Sequence, residues 1–305
     1  MSEDRGVALH GMHKPASSVL IRVRGAMPSL RPAEQRVGEA VLADPAAISE
    51  SSITAVARQC MTSETTVLRF CRAIGLGGYP ELRIALARAA QREETDQNAR
   101  PPVNGTIGEN DSVADVVAKI SYADSRAVEE TGAALDVAAL TAAIEAVRAA
   151  GRIDVYGIGA SGLVAHDLHQ KLHRLGLISF SWADPHLALT SAAVLEVGDV
   201  AIGISHTGTT IDTIDALRVA RQHGATTIAV TNFAKSPITE EADLVLTTAA
   251  RETTFRSGAM ASRIAQLALI DCLFTGVAQR SYDHAIDSLQ TTYAAVQSRH
   301  GSRRG

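Results

Sequence analysis

DVAIGISHTGTTIDTIDALRVARQ, residues 199–222, decides the fold. Its opening, DVAIGIS, is a short apolar run of the kind a fully buried strand carries. Its end, TIDTIDALRVARQ, places apolar residues at helical spacing. Between them SHTGTT crowds hydroxyls and a glycine into the passage from strand to helix. The same order recurs on both sides. RIDVYGIG (152–159), LISFSW (177–182), TTIAVTN (226–232) and DLVLTT (243–248) read as strands. SGLVAHDLHQKLHRLG, DPHLALTSAAVL, SPITEEA and ASRIAQLALIDCLFTGVAQ read as the helices that follow them. Alternation of this kind predicts an α/β domain, a parallel sheet with helices on both faces.

Upstream of Arg152 the patterns are helical. SVADVVAKISYADSRAVEETGAA and DVAALTAAIEAVRAA lead into the sheet domain. From Ala16 to Gln91 the segments are short and helical as well, which predicts a separate all-α domain. Ser29 is a candidate N-cap for RPAEQRVGEAVLA, which Pro45 closes. Ser51 or Ser52 is placed to cap ITAVARQC, and Ser63 to cap ETTVLRFCRAIG, with Glu64 suiting the helix dipole. Gly75, Gly77 and Gly78 stop that helix, and ELRIALARAAQRE follows. REETDQNARPPVNGTIGEND, polar and bearing Pro and Gly, reads as a linker. The expected organisation is a disordered tail at 1–15, a helix-turn-helix domain at 16–92, a linker at 93–111, the sheet domain at 112–290 and a C-terminal tail at 291–305.

Composition bounds the class. The chain has 305 residues, enough for two domains. Three scattered cysteines argue against a disulfide framework or a thiolate metal site. No apolar run reaches the roughly 20 residues of a bilayer span, and the N-terminus has no apolar signal-peptide core. The expectation is a soluble cytoplasmic protein without a membrane partner. Residues 1–92 carry 12 Lys+Arg against 8 Asp+Glu, while residues 93–305 carry 17 against 25. A basic front on an acidic body suits an anionic partner for the front alone.

ITAVARQCMTSETTVLRFCRAIG, residues 53–75, has the layout of a helix-turn-helix. Ala57 is small enough for close helix crossing, and Ile53, Val56, Val67, Leu68 and Ile74 supply apolar contacts. The second helix is expected to present Ser63, Thr65, Thr66, Arg69 and Arg72 to double-stranded DNA. Threonine reads base edges or methyls, and arginine pairs with guanine or phosphate. Without DNA, the same pattern would describe a helical bundle with surface arginines. Met61 falls where such turns favour a glycine at positive φ, so a distorted turn is expected.

Two loops fall at the carboxyl ends of strands, where open α/β sheets bind ligands. One is GIGASG, residues 157–162, and the other is SHTGTT. Small residues such as Gly159 and Gly208 bring backbone close to a ligand, and N–H groups at the next helix favour an anion. Ser161, Ser205, Thr207, Thr209 and Thr210 add hydroxyls, which suits a small phosphorylated ligand. GIGASG also matches G-x-G-x-x-G, with Asp184 some twenty residues on, a dinucleotide fingerprint. Either loop could instead serve strand-to-helix packing alone. His206, Glu252 and His186 lie near strand ends within reach of a sugar. His166, His169 and His173 share one helix face; without a supporting carboxylate or cysteine pattern no metal is expected there, and no cofactor.

Taken in order, SETTVLRFCRAIGLGGYPELRIALA, IDVYGIGASGLVAHD, DPHLALTSAAVLEVGDVAIGISHTGTTIDTIDALRVAR and ARETTFRSGAMASRIAQLALIDCLF resemble the RpiR family of bacterial transcriptional regulators. The resemblance runs from Leu20 to Val277. It implies an N-terminal helix-turn-helix domain and a flavodoxin-like SIS domain that binds phosphosugars and usually dimerises. It implies that Ser205-His206-Thr207-Gly208-Thr209-Thr210 stands for the family's S-x-S-G-x-T phosphate loop, with Thr207 in the second serine's place. It further implies that Ser161 matches another ligand-contacting serine. The expected function is regulation of carbohydrate metabolism, with operator binding modulated by a phosphosugar effector and a homodimer or higher oligomer as the working form. The alternatives are a phosphosugar isomerase using Glu252 or His206, and a dinucleotide-sensing regulator using GIGASG and Asp184.

Overall fold

The computed structural model of the chain describes residues 19–99, 107–252 and 260–297. The tail expected at 1–15 and the end of the chain from 298 lie outside the described residues.

The front is helical. α1 (Val19–Ala26) passes through a 3-10 turn (Met27–Ser29) into α2 (Pro32–Ala43), followed by α3 (Pro45–Glu50), α4 (Ile53–Gln59), α5 (Glu64–Ala73) and α6 (Tyr79–Ala99). Ser52 and Ser63 cap α4 and α5 by accepting from the Ala55 and Thr66 N–H groups. Ser29 does not cap α2. Its hydroxyl is turned back to the Ala26 carbonyl, and Arg31 holds the cap position with its N–H on the Glu34 carboxylate. Pro45 closes α2 but also opens α3, because a proline at the first helical position sacrifices only a donor that has no partner there. One core, including Val23, Val37, Val56, Val67, Phe70, Leu82 and Leu86, joins these helices. α6 continues to Ala99, into the stretch that reads as linker.

The sheet domain follows as α7 (Val113–Ala134), α8 (Val137–Ala149), β1 (Ile153–Gly157), α9 (Ala160–Arg174), β2 (Ser179–Trp182), α10 (Pro185–Ala192), β3 (Val200–Ile204), α11 (Ile211–Gln222), β4 (Thr226–Thr231), α12 (Pro237–Glu240), β5 (Leu244–Thr247), α13 (Ala261–Arg280) and α14 (Tyr282–Gln297). α14 takes in the first seven residues of the segment expected to be a C-terminal tail, 291–305. The strands are all parallel, in the order β2-β1-β3-β4-β5.

Alternation along each strand sorts the two faces. Val200, Ile202, Ile204, Ile228 and Val230 point to α8, α9 and α13 and form the larger core. Ala201 and Ala229 point to α10 and α11, in a core of smaller side chains. Gly203 shares that side: a Cβ there would lie 2.6 Å from Leu217 Cδ1, so α11 sits close on the sheet. Helix α13 is long and apolar enough to cross a membrane by length and composition alone. Its apolar residues serve the interior instead: Ala265, Leu269, Ile270, Leu273 and Val277 are buried, most of them in the larger core.

Candidate functional site

Strand order fixes where a ligand can sit. From β1 the chain moves outward to β2; from β3 it moves the other way to β4, which opens a crevice between the carboxyl ends of β1 and β3. Gly157 and Ile204 are register partners, so GIGASG and SHTGTT leave the sheet level with each other.

The glycines of GIGASG serve packing. A Cβ on Gly157 would stand 2.6 Å from the Ser161 carbonyl oxygen, and one on Gly162 would stand 2.8 Å from that of Gly157. Gly159 is at φ 61°, ψ −125°, a conformation open to glycine. The loop holds α9 against β1 and aims Ser161, whose hydroxyl lies 3.3 Å from Gln266 Oε1 on α13. Asp184 caps α10, its carboxylate 3.0 Å from the Leu187 N–H, so the acidic member of the dinucleotide pattern is committed to a helix end.

SHTGTT is built differently. Ser205 is buried, accepts from the Gly208 N–H at 3.1 Å and lies 3.0 Å from the Thr210 hydroxyl. Thr207 and Thr209 are exposed with hydroxyls 2.8 Å apart. Gly208 is at φ 67°, and a Cβ there would overlap the Ser236 hydroxyl. Thr210 gives α11 no side-chain cap, which leaves the N–H groups of the helix start facing the hydroxyls. Such a turn suits an anion.

Beside this loop lies a set of buried polar groups without partners. His206 Nδ1, Glu252 Oε2, Ser262 Oγ and Gln266 Nε2 have no hydrogen-bond partner among the described residues. Glu252 Oε1 accepts from the Ser262 N–H at 2.8 Å, and Ser262 and Gln266 are one turn apart on α13. Burial depresses the His206 pKa and the nearby Glu252 carboxylate opposes that shift, so the ring is neutral near pH 7. Ser161, Gln266, Ser262, Glu252 and His206 thus form one polar rim beside the SHTGTT turn. Sequence reasoning missed Ser262 and Gln266; their i, i+4 spacing at the start of an otherwise apolar helix was the available signal. His186 is exposed on α10 and makes no part of these contacts. His166 and His169 pair with the Ser181 and Ser179 hydroxyls, and no metal-type cluster occurs among the described residues.

In the helical front, Ser63, Thr65, Arg69 and Arg72 of the α5 region are exposed. Thr66 is a correction: it is buried, in contact with the Ser63 and Arg69 side chains, because it lies one turn from Phe70 on the core face. Arg69 is held by Glu34 at 3.3 Å. Met61 has φ 48° and is 78% exposed. The turn is not distorted by it. The Thr62 N–H bonds the Ala57 carbonyl and the Met61 N–H that of Arg58, a complete Schellman closure. Arg36 clamps the Cys60 and Met61 carbonyls at 2.9 and 3.0 Å.

The two regions meet at Glu130 of α7, buried, which accepts from Arg24 of α1 at 3.0 Å, Arg126 at 3.0 Å and Arg251 at 2.9 Å. A cavity of about 420 Å³ lies beside it, lined by Arg22, Arg24 and Ile74 from the front and by Asn232, Lys235 and Thr248 from the sheet domain.

Comparison with known proteins assigns both regions. Residues 18–93 match the family model for the helix-turn-helix domain of the rpiR family, and residues 146–276 match the SIS domain. An HTH-type transcriptional regulator of Caldanaerobacter subterraneus is 39% identical over 93% of this chain and 98% of its own. The chain belongs to the RpiR family. Among solved structures, this RpiR regulator is similar to the Vibrio vulnificus NanR protein complexed with ManNAc-6P, with TM-score 0.58, 28% identity and coverage of 93% of this chain and 100% of that one. It is also similar to the sugar isomerase domain of an RpiR transcription factor from Sphaerobacter thermophilus, with TM-score 0.54, 27% identity and coverage of 59% and 98%. The chain is a transcriptional regulator in which a helix-turn-helix domain precedes a SIS domain.

Proposed function

We propose that this regulator senses a phosphosugar at the crevice between β1 and β3 and adjusts its grip on an operator accordingly. Ser205, Thr207, Thr209 and Thr210, the backbone of Gly208 and the start of α11 hold the phosphate. Gly159 lets the opposite loop approach, Ser161 closes that side, and His206 and Glu252 face the sugar. Ser63, Thr65, Arg69 and Arg72 meet DNA from the exposed edge of α5. The protein acts in the cytoplasm as a homodimer or larger homo-oligomer, with a reading head for each operator half-site.

The observation that carries this is the unpartnered buried polar rim beside a hydroxyl-rich turn, since buried polar groups in folded proteins ordinarily find partners. The complex of the similar NanR protein with ManNAc-6P supports the ligand class. The coupling runs through hydrogen bonds. The His206 carbonyl accepts from the Asn232 N–H; Asn232 Oδ1 accepts from the Thr248 hydroxyl and the Ala250 N–H; the Ala249 N–H reaches Thr131, next to Glu130. Arg251, bonded to Glu130, precedes Glu252. A ligand that engages Glu252 and His206 therefore acts on both ends of the bridge that Arg24 joins. To shift operator binding it must favour one arrangement of that bridge over another.

A panel of sugar phosphates in a thermal-shift assay, with NADH and inorganic phosphate as controls, tests the ligand class, because a ligand of the folded state raises the melting temperature. Stabilisation by NADH and by no sugar phosphate would replace this function with dinucleotide sensing. The neutral His206 beside Glu252 is also what an aldose–ketose isomerase would need as a base pair. Turnover in a coupled assay, lost in Glu252→Gln, would move the protein to that class.

A further inference from the structure

Resting on the phosphosugar reading, we infer that the rim opposite the phosphate turn selects an uncharged polyhydroxyl body and rejects a second anionic group. The effector class is then a monophosphate ester of a neutral sugar, such as a hexose or N-acetylhexosamine phosphate, and not the phosphate of a sugar acid.

The hydrogen-bonding inventory of the rim leads to this. Glu252 Oε2 is acceptor-only and needs a donor from the ligand. Gln266 Nε2 is donor-only and needs an acceptor, its Oε1 already lying against the Ser161 hydroxyl. Ser262 Oγ takes either role, as does a neutral imidazole nitrogen such as His206 Nδ1. Hydroxyl groups donate and accept at one atom, so a row of them satisfies all four positions. A carboxylate accepts only: it answers Gln266 but leaves Glu252 unpaired and sets two like charges together out of water. Ser262 and Gln266 are each only 1% exposed, so bulk water does not substitute for the ligand at those two positions. The cation on this stretch of helix, Arg263, follows Ser262 and lies about 80° round the helix from the middle of the Ser262–Gln266 face.

The test is isothermal titration of the full chain with hexose and N-acetylhexosamine 6-phosphates and with the matching aldonate 6-phosphates, in wild type, Glu252→Gln and Ser262→Ala. Wild type is expected to bind its best neutral-bodied ester at least tenfold tighter than the matching aldonate ester. Glu252→Gln, nearly isosteric and still able to accept from the Ser262 N–H, narrows that ratio to under threefold by admitting the aldonate. Ser262→Ala weakens the neutral esters without narrowing the ratio. Equal or tighter aldonate binding in wild type overturns the inference and leaves the phosphosugar function standing. So does a ratio that folded Glu252→Gln leaves unchanged. Failure of every sugar phosphate to bind overturns both. Thermal melts establish that the variants fold, and the wild-type ratio alone decides the matter if one does not.

Discussion

The proposed reading head and the proposed effector rim would each meet a phosphate-bearing partner, and they are built in opposite ways. At the head, polar side chains are tied to their own domain: Arg69 to Glu34, Ser63 to Thr66, Thr54 to Glu64. At the rim, His206, Glu252, Ser262 and Gln266 hold buried polar atoms that no described residue satisfies. A surface that meets DNA in water can satisfy itself and exchange partners on contact. Buried polar atoms without a protein partner depend on a ligand to complete them, which gives ligand binding leverage over the surrounding structure.

The largest expected effect is at Gly208. Gly208→Ala puts a Cβ at positive φ into the Ser236 hydroxyl; it should abolish sugar-phosphate binding and lower domain stability by about 2 kcal/mol. Titration with the ligand and a thermal melt check both, and full binding by this variant would remove the turn from the site. Ser205→Ala comes next. Loss of a hydrogen bond to a charged group, about 1.5–3 kcal/mol, predicts ligand affinity down roughly tenfold to a hundredfold, with ligand-free operator binding kept. Arg69→Ala mirrors it at the head: operator affinity should fall by about 1–3 kcal/mol while ligand affinity holds. Gel-shift titration with and without ligand reads both variants. If Ser205→Ala abolished ligand-free operator binding, the contrast between the two regions would not stand.

Arg24→Gln acts between them. Removing the front domain's hold on Glu130 should leave both affinities near wild type but reduce the ligand's effect on operator binding, a coupling of about 1–3 kcal/mol in allosteric proteins generally. The smallest change is Met61→Gly. Gly75 closes α5 with the same pair of Schellman bonds that Met61 makes after α4, at φ 75° against 48°. The glycine relieves a left-handed residue worth about 1 kcal/mol and should raise the melting temperature of the head without weakening the turn. No gain in that melt would mean that the Arg36 clamp already offsets the strain.

Much of this was legible in the sequence because it is local. Strand and helix periods gave the alternation that forces a parallel sheet, and small residues at the ends of β1 and β3 marked the loops. Ser52 and Ser63 were legible as caps since a cap acts within three residues. What escaped depended on tertiary placement. Gln266 and Ser262 reach the rim because α13 crosses the sheet with its start at the carboxyl edge. Arg24 and Glu130 meet across more than a hundred residues. Thr66 was misplaced because the outward face of a short helix depends on what Phe70, one turn on, packs against. The roles of the glycines in GIGASG became clear only through the distance from Gly157 to the Ser161 carbonyl, which no spacing rule contains.

The most direct measurement is the anisotropy of a labelled duplex, selected from random sequence by the protein itself, titrated with the full chain with and without the best-binding sugar phosphate. Wild-type affinity should change at least fivefold at saturating ligand, and Ser205→Ala, bound to the same duplex, should need at least about tenfold more ligand for the same change. An unchanged wild-type curve at saturating ligand, or an equal ligand requirement in Ser205→Ala, would contradict control of the operator from the crevice between β1 and β3.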